Sequence, residues 1–164
     1  MNTPSAVALA LCGHAQIENA TNAAEDAAKT RPSDMQLTAV DLPLTRAASS
    51  LARNRPETAI EQLRSMDHIE RIHPEAIYLR GVAYLRLRKG SEAAAEFQKI
   101  IDHTGVYWGP FYAVSYVGLA RGAALAGDMP RSRRAYQDFL ALWKDADTDI
   151  PILKQAKLEY SKLP

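Results

Sequence analysis

The sequence predicts an all-α fold, an α-solenoid of about four stacked helical hairpins followed by a C-terminal capping helix. Three observations predict it. Apolar residues recur with a helical period almost throughout, and no stretch alternates apolar and polar residues as a half-buried strand does. Proline-containing breaks separate segments of helix length, and similar residues recur about 34 residues apart. The 164 residues therefore fit one domain of repeated helix–turn–helix units.

The predicted helices start at prolines, because a proline in the first helical turn lacks only an N–H that would be unpaired there. The breaks that contain these prolines are Arg31–Asp34, Asn54–Pro56, His73–Pro74, Gly109–Pro110, Gly127–Pro130 and Asp149–Pro151. The resulting hairpin units and the capping helix span residues 4–34, 37–68, 74–104, 110–144 and 149–162. We expect them to form a single superhelical domain over residues 1–164.

The third unit contains the clearest copy of the repeat, with Gly81 and Tyr84 on its first helix and Ala93 and Phe97 on its second. The pair that corresponds to Ala93 and Phe97 lies one repeat earlier at Ala59 and Leu63. It lies one repeat later, after a slightly longer interval, at Ser132 and Tyr136. Small residues let two helices approach closely, and large residues of the neighbouring helix fill the remaining space. These positions are therefore the predicted packing contacts of the repeat.

The capping helix completes the array, because each hairpin leaves an apolar face that the next element must cover. We expect Asp149 to be its N-cap residue. Its predicted apolar face consists of Ile152, Leu153, Ala156 and Tyr160, and its predicted solvent face contains Lys154, Lys157 and Lys162.

The residues at 81–84 and 93–97 match the G-x2-Y and A-x3-F elements of the tetratricopeptide (TPR) signature, and the chain resembles that family. From about residue 74 to the end, the sequence is similar to the C-terminal TPR region of bacterial eukaryotic-like serine/threonine kinases and of related winged-helix regulators. Arg80 stands where the signature has Leu, and Ile77 where it has Trp. The resemblance implies a role in protein interaction or sensing, with the kinase or DNA-binding domain elsewhere in the parent.

Composition and motifs disfavour several other functions. The formal net charge of +1 gives no sign of a nucleic-acid partner, and no apolar run is long enough for membrane insertion. Nucleotide-binding, kinase and zinc-protease motifs are absent from the sequence, so we predict no enzyme activity and no cofactor. His68 and His73 are five residues apart, a spacing that does not favour a shared metal ion.

A stacked array of this kind presents the first helix of each unit on a concave surface. The residues that helical phase places on this candidate peptide groove are Tyr78, Val82, Leu85, Arg86, Val117, Arg121 and Leu125. The surface is mostly apolar, with Arg86 and Arg121 as its charged points. Such a groove suits an amphipathic helix or an extended peptide.

The segment GVYWGPFYAVSYVG, residues 105–118, contains five of the twelve aromatic residues. Phe111, Tyr112 and Tyr116 have helical spacing, and we expect them to pack against neighbouring helices. Tyr107 and Trp108 precede the proline on a predicted loop. They form a candidate aromatic lip at the groove, although packing is the alternative for them too.

These features predict a non-catalytic protein–protein interaction module, the C-terminal part of a larger signalling protein. Its partner is then another protein or peptide. The alternative is a regulatory or sensor segment of a serine/threonine kinase, which binds the kinase domain of its own parent chain or a small ligand. We expect a soluble segment, in the cytoplasm or on the extracytoplasmic side of a membrane-tethered parent.

Overall fold

A computed structural model describes residues 14–103 and 110–164. Within these two ranges all regular secondary structure is helical, which confirms the predicted all-α class. The α-helices are α1 (His14–Thr30), α2 (Leu42–Ala52), α3 (Pro56–Leu63), α4 (Pro74–Arg86), α5 (Gly90–Asp102), α6 (Pro110–Leu125), α7 (Met129–Leu142) and α8 (Pro151–Ser161). Shorter segments are a π-helical turn at Leu37–Asp41 and 3-10 turns at Arg64–Met66 and Glu70–Ile72.

Prolines start the helices largely as predicted. Pro56, Pro74, Pro110 and Pro151 are the first residues of α3, α4, α6 and α8, and Pro130 is the second residue of α7. The prediction is wrong for Pro32, which lies in a turn before Asp34. The side chain of Asp34 accepts a hydrogen bond of 3.1 Å from the Leu37 N–H. At this helix start an aspartate side chain therefore pairs with a backbone N–H that has no partner within the helix.

The predicted N-cap at Asp149 is also wrong. Ile150 holds the N-cap position of α8 with no side-chain hydrogen bond. The Asp149 carboxylate instead accepts a hydrogen bond of 2.8 Å from Lys154 Nζ. Of its predicted apolar face, Leu153 and Ala156 are buried and Ile152 and Tyr160 are half-buried, while its three predicted solvent-face lysines are exposed.

The chain divides into two compact units, and the boundary falls between Ala83 and Tyr84 inside α4. In the first unit α1 packs on α2, and α2 packs on α3. The buried residues that form this packing include Ile17, Ala24, Leu44, Ala48, Leu51, Ala59 and Leu63. Two ion pairs add to the α1–α2 contact, Arg46–Glu25 at 3.0 Å and Arg53–Glu18 at 3.1 Å. Since all four side chains are substantially exposed, apolar burial stabilises this contact more than the ion pairs do.

Arg80 is a buried charge in the first unit. Only 7% of the residue is exposed, at the position where the repeat signature has leucine. Its guanidinium donates to Asp67 Oδ1 at 2.6 Å and to a carboxylate oxygen of Glu70. A buried charge is tolerated only when it is paired. The two acids that precede α4 therefore explain how an arginine is accommodated in the interior, and they hold the 3-10 segment against this helix.

In the second unit the backbones of α5 and α6 approach each other closely. A Cβ added to Gly90 would lie 2.5 Å from Ala126 N and 2.7 Å from Gly122 O. A Cβ on Gly122 would lie 2.7 Å from Ala94 N. These distances are shorter than van der Waals contact, so only glycine fits at both positions. The next helices follow in order, because α6 packs on α7 and α7 on α8.

Most of the predicted packing positions of the repeat are buried. Ala59, Leu63, Ala93 and Phe97 are fully buried, and Tyr136 is 3% exposed. Gly81 is buried and Tyr84 half-buried. Phe97 fills the space left by a small residue, as expected, but that residue is Gly118 of α6, whose added Cβ would lie 2.5 Å from the Phe97 ring.

The same turn occurs at the ends of three helices. Asn54, Arg88 and Gly127 follow α2, α4 and α6, and each has a positive φ, of 55°, 56° and 82°. In each turn the next residue donates its N–H five residues back, from Arg55 to Ser50 O, Lys89 to Tyr84 O and Asp128 to Ala123 O, at 2.8–2.9 Å. This is the Schellman pattern, which satisfies the last carbonyls of a helix.

The spacing of these turns follows the sequence repeat. Asn54 and Arg88 are separated by the same interval as Ala59 and Ala93. Arg88 and Gly127 are separated by the longer interval that also separates Ala93 from Ser132. These turns are therefore spaced by the same two intervals as the predicted packing positions.

We expect Gly122→Ala to destabilise the protein by about 1–3 kcal/mol, because the new methyl group would overlap the α5 backbone. In an ordinary helix interior this substitution stabilises by about 1 kcal/mol. Urea unfolding followed by circular dichroism measures the difference. Ala95→Gly, at an exposed position inside α5, serves as the control for helix propensity. Higher stability of Gly122→Ala would show that the helices do not approach as closely as described.

Candidate functional site

The second unit contains an open cleft of about 570 Å³. Its lining residues are Leu85, Arg88, Arg121, Ala124, Leu125, Tyr136, Glu159, Lys162 and Leu163. Four lining residues are aliphatic, Leu85, Ala124, Leu125 and Leu163, whereas the charged groups come from three different segments. The cleft therefore offers both apolar contact and fixed charge to a ligand.

Helix geometry explains how these side chains come together. Arg121, Ala124 and Leu125 lie three and four residues apart, so they share one face at the end of α6. Leu85 belongs to the last turn of α4, and Arg88 to the turn that follows it. The remaining lining residues come from α7 and from the C-terminal end of α8.

A hydrogen-bonded cluster centred on Glu159 ties α6, α7 and α8 together. Arg121 donates from Nε to Glu159 Oε2 and from Nη2 to Glu159 Oε1, both at 2.9 Å. Tyr136 donates to Oε2 at 2.6 Å, and Gln155 donates to Oε1 at 3.0 Å. This two-pronged arginine–carboxylate geometry is the strongest form of ion pair. The cluster joins three helices beside the cleft and provides a counter-charge for Arg121.

The same cluster shifts the pKa values of its members. Partial burial by itself would raise the pKa of Glu159, but the hydrogen bonds from Arg121 and Tyr136 and the arginine charge outweigh it and lower that pKa below its ordinary value of 4.5. Burial, followed by the hydrogen bond to Glu159 and its charge, raises the pKa of Tyr136 far above the usual range. Glu159 is therefore ionised and Tyr136 protonated at neutral pH.

The structure brings together three of the seven residues predicted for the groove, Leu85, Arg121 and Leu125. The prediction that Val117 lies on the groove is wrong, because this residue is 1% exposed and belongs to the core of its unit. Arg86 is exposed but does not line this cleft, and Tyr78 and Val82 are half-buried in the first unit. Arg121 is also not an open charged point, since it is bound to Glu159.

Arg88, Glu159 and Lys162 line the cleft but were not predicted as groove residues. The sequence does contain an indication for Arg88, because it occupies the position after α4 that Gly127 occupies after α6. Glu159 and Arg121 are 38 residues apart, and nothing local indicates that they pair. Helical phase could have placed Glu159 and Lys162 together, because they are three residues apart on or just after α8.

The aromatic segment is described only from Pro110 onward, so the candidate lip residues Tyr107 and Trp108 lie outside the described residues. The rings of Tyr112 and Tyr116 pack edge to face with centroids 5.4 Å apart, and their hydroxyl groups are 2.9 Å apart. Burial, then the hydrogen bond to Tyr112, raises the pKa of Tyr116. Both tyrosines and Phe111 are half-buried on α6, outside the lining of the 570 Å³ cleft.

The first unit contains a smaller polar pocket of about 200 Å³ between α1, α2 and α3. Its charged lining residues already pair with each other as Glu25–Arg46 and Glu18–Arg53. The Ser50 hydroxyl donates to Gln62 Oε1 at 2.9 Å. Because these groups satisfy each other, the pocket provides less for a ligand than the cleft of the second unit does.

Residues 14–103 and 110–164 contain no cluster of three or more His, Cys, Asp or Glu side chains that could hold a metal ion. Among the helices formed by these residues, none combines the length and apolarity needed to cross a membrane. Comparison with protein-family models, curated proteins and solved structures gives no match.

We expect Glu159→Gln to destabilise the protein by about 1 kcal/mol at pH 7, because a neutral amide binds Arg121 more weakly in this partly exposed site. The carboxylate has a lowered pKa in the folded state, so its contribution is complete above the ordinary value of 4.5 and is lost as the pH falls through the folded-state value. Urea unfolding from pH 7 to about pH 3 should show the wild-type advantage shrinking only below pH 4.5.

Glu61→Gln is the matched control, because it removes an exposed ion pair with Arg64 of 3.0 Å. Its effect should be small at all pH values. An advantage of wild type over Glu159→Gln that grows on acidification would contradict the assigned direction of the pKa shift.

We expect Arg88→Gly to stabilise the protein by roughly 0.5–1 kcal/mol. A non-glycine residue at positive φ is strained by about 1–2 kcal/mol, and glycine removes this strain. The gain is smaller than the strain, because glycine makes the unfolded chain more flexible and so costs more entropy on folding. Gly127→Ala should destabilise by about 1 kcal/mol for the same reason, since no atom lies near the added Cβ and only backbone strain acts there. Thermal unfolding of both variants tests this. If both substitutions stabilised the protein, or if both destabilised it, the two turns would not be equivalent.

Proposed function

We propose that this chain is a non-catalytic protein–protein interaction module of the TPR type, in which an α-solenoid of helical hairpins presents a cleft to a peptide segment of a partner. The cleft of the second unit carries this proposal. It combines aliphatic side chains with fixed charges on the ends of helices, which is the surface that an amphipathic helix or extended peptide requires.

The recurring turn supports the repeat part of the proposal. Three helices end in the same Schellman turn, and these turns are spaced as the sequence repeat is. In the first unit α1, α2 and α3 pack in sequence, and in the second α5, α6, α7 and α8 do, as expected when each hairpin buries the open face of its neighbour. A helix–turn–helix repeat of about 34 residues is typical of TPR proteins.

The titratable groups support a binding role over a catalytic one. The Arg121–Glu159–Tyr136 cluster joins three helices, and its hydrogen bonds hold the proton on Tyr136 and off Glu159. A general acid or base needs a pKa near the working pH, whereas the shifts here move both groups away from neutrality. The cluster therefore acts as a structural clamp in this proposal.

The resemblance to the C-terminal region of bacterial serine/threonine kinases extends the proposal to signalling. In that context the chain is part of a larger protein, and the partner is a separate protein or a kinase domain of the same parent. The cleft serves either partner in the same way, through a peptide segment that enters it.

The test is selection of a random peptide library displayed on phage against the immobilised chain, followed by fluorescence polarisation with the selected peptides. We expect Leu125→Asp to weaken these peptides at least about tenfold, because Leu125 lines the cleft and is 36% exposed, so a ligand can bury it. Circular dichroism verifies that the variant remains folded.

Leu158→Asp is the matched control, since Leu158 is an exposed leucine on α8 that does not line the cleft. It should leave the affinity unchanged. Failure to select any peptide, or equal losses for the two variants, would reject the cleft as the binding site.

A further inference from the structure

We propose that the cleft of the second unit selects peptide segments in which acidic side chains lie beside apolar ones, with Arg88 and Lys162 binding the carboxylates. This inference rests on the proposed peptide-binding function and names the chemistry of the partner. It follows from the charge balance of the cleft, from the backbone at Arg88 and from the apolar part of the lining.

The charges of the cleft are unbalanced. Its lining contains three cations, Arg88, Arg121 and Lys162, and one anion, Glu159. Glu159 binds Arg121 through both carboxylate oxygens. Among the residues that the structure describes, the side chains of Arg88 and Lys162 make no hydrogen bond or ion pair, and both residues are exposed. Two positive charges thus face the cleft without an internal counter-charge, and a carboxylate-bearing ligand complements them.

The backbone at Arg88 is a second, independent observation. Arg88 has a φ of 56°, where glycine is the favoured residue, and the equivalent turn after α6 has Gly127. The turn after α2 has Asn54, which tolerates this conformation well. The backbone is therefore more strained at Arg88 than at Asn54 or Gly127, because asparagine and glycine tolerate a positive φ better than arginine does. Strained residues cluster at binding sites, and this strained residue is an arginine that lines the cleft.

The apolar lining restricts the ligand further. Leu85, Ala124, Leu125 and Leu163 line the same cleft as Arg88, Lys162 and the Arg121–Glu159 pair. A free anion or a nucleic-acid backbone would leave these side chains in water. A wholly apolar peptide would desolvate Arg88 and Lys162 without pairing them, which is unfavourable. A peptide with adjacent acidic and apolar residues satisfies both parts of the cleft.

The experiment repeats the phage selection on the intact chain and on the charge-reversed variant Arg88→Glu/Lys162→Glu. Peptides selected on wild type should be rich in Asp and Glu beside Leu, Ile, Val or Phe. The variant should bind synthetic, C-terminally amidated copies of them at least about tenfold more weakly, and it should select basic peptides instead. Arg134→Glu/Lys157→Glu is the control, with the same change in net charge at exposed residues outside the cleft. It should retain wild-type affinity.

The outcomes separate this inference from the proposed function. One outcome is that the selection on wild type yields neutral or basic peptides that still bind Leu125→Asp more weakly. This result would overturn the acidic preference but retain the cleft as a peptide-binding site. Equal losses in the two charge-reversed variants would assign the preference to overall charge and overturn the roles of Arg88 and Lys162. Absence of any selected peptide would reject both proposals. Preference for single-stranded DNA over the acidic peptides would contradict the inference as well.

Discussion

The close approach of α5 and α6 is the constraint on which the second unit depends. At Gly90 and Gly122 the two backbones are in contact, and a single Cβ on either residue would overlap backbone atoms of the other helix. Contact between backbones fixes the distance and the rotation of a helix more tightly than contact between flexible side chains, because a backbone atom cannot move without moving the helix. Since Gly122 faces α5, the neighbouring residues of α6 are fixed as well. Arg121 and Leu125 therefore reach the cleft and the Glu159 clamp from a rigid position.

The sequence predicted what depends on local spacing. Proline positions predicted most helix starts, and the A-x3-F spacing predicted residues such as Ala93 and Phe97 that prove to be buried. It failed where a tertiary partner decides the outcome. Val117 belongs to the core although helical phase placed it on the groove. The candidate cleft was only partly predictable for the same reason, because its main anion, Glu159, lies 38 residues from the arginine that it binds. The N-cap prediction failed for a local reason, because Asp149 pairs with Lys154 in the helix that follows it.

Two arginines show why residue type alone is a poor guide to a binding surface. Arg80 departs from the repeat signature, yet two nearby acids accommodate it in the interior of the first unit. Arg121 belongs to the predicted groove, yet Glu159 binds it through both of its oxygens. In each case the partner carboxylate converts a candidate recognition residue into a structural one. A cation is available to a ligand only where the fold supplies no such partner, and the described residues meet that condition at Arg88 and Lys162 in the cleft.

The recurring turn separates the requirements of the fold from those of the site. A Schellman turn needs one residue at positive φ and a donor after it, and it makes no demand on the side chain beyond tolerance of that φ. Asn54, Arg88 and Gly127 satisfy this requirement with three different side chains. Glycine gives the least strained turn, so a charged side chain at one of the three positions is not explained by the backbone. Because the positions are equivalent in the backbone and differ in what surrounds them, the difference in residue type points to the surroundings. At Arg88 the surroundings are the cleft, and this links a local departure from the favoured turn residue to the position of that cleft.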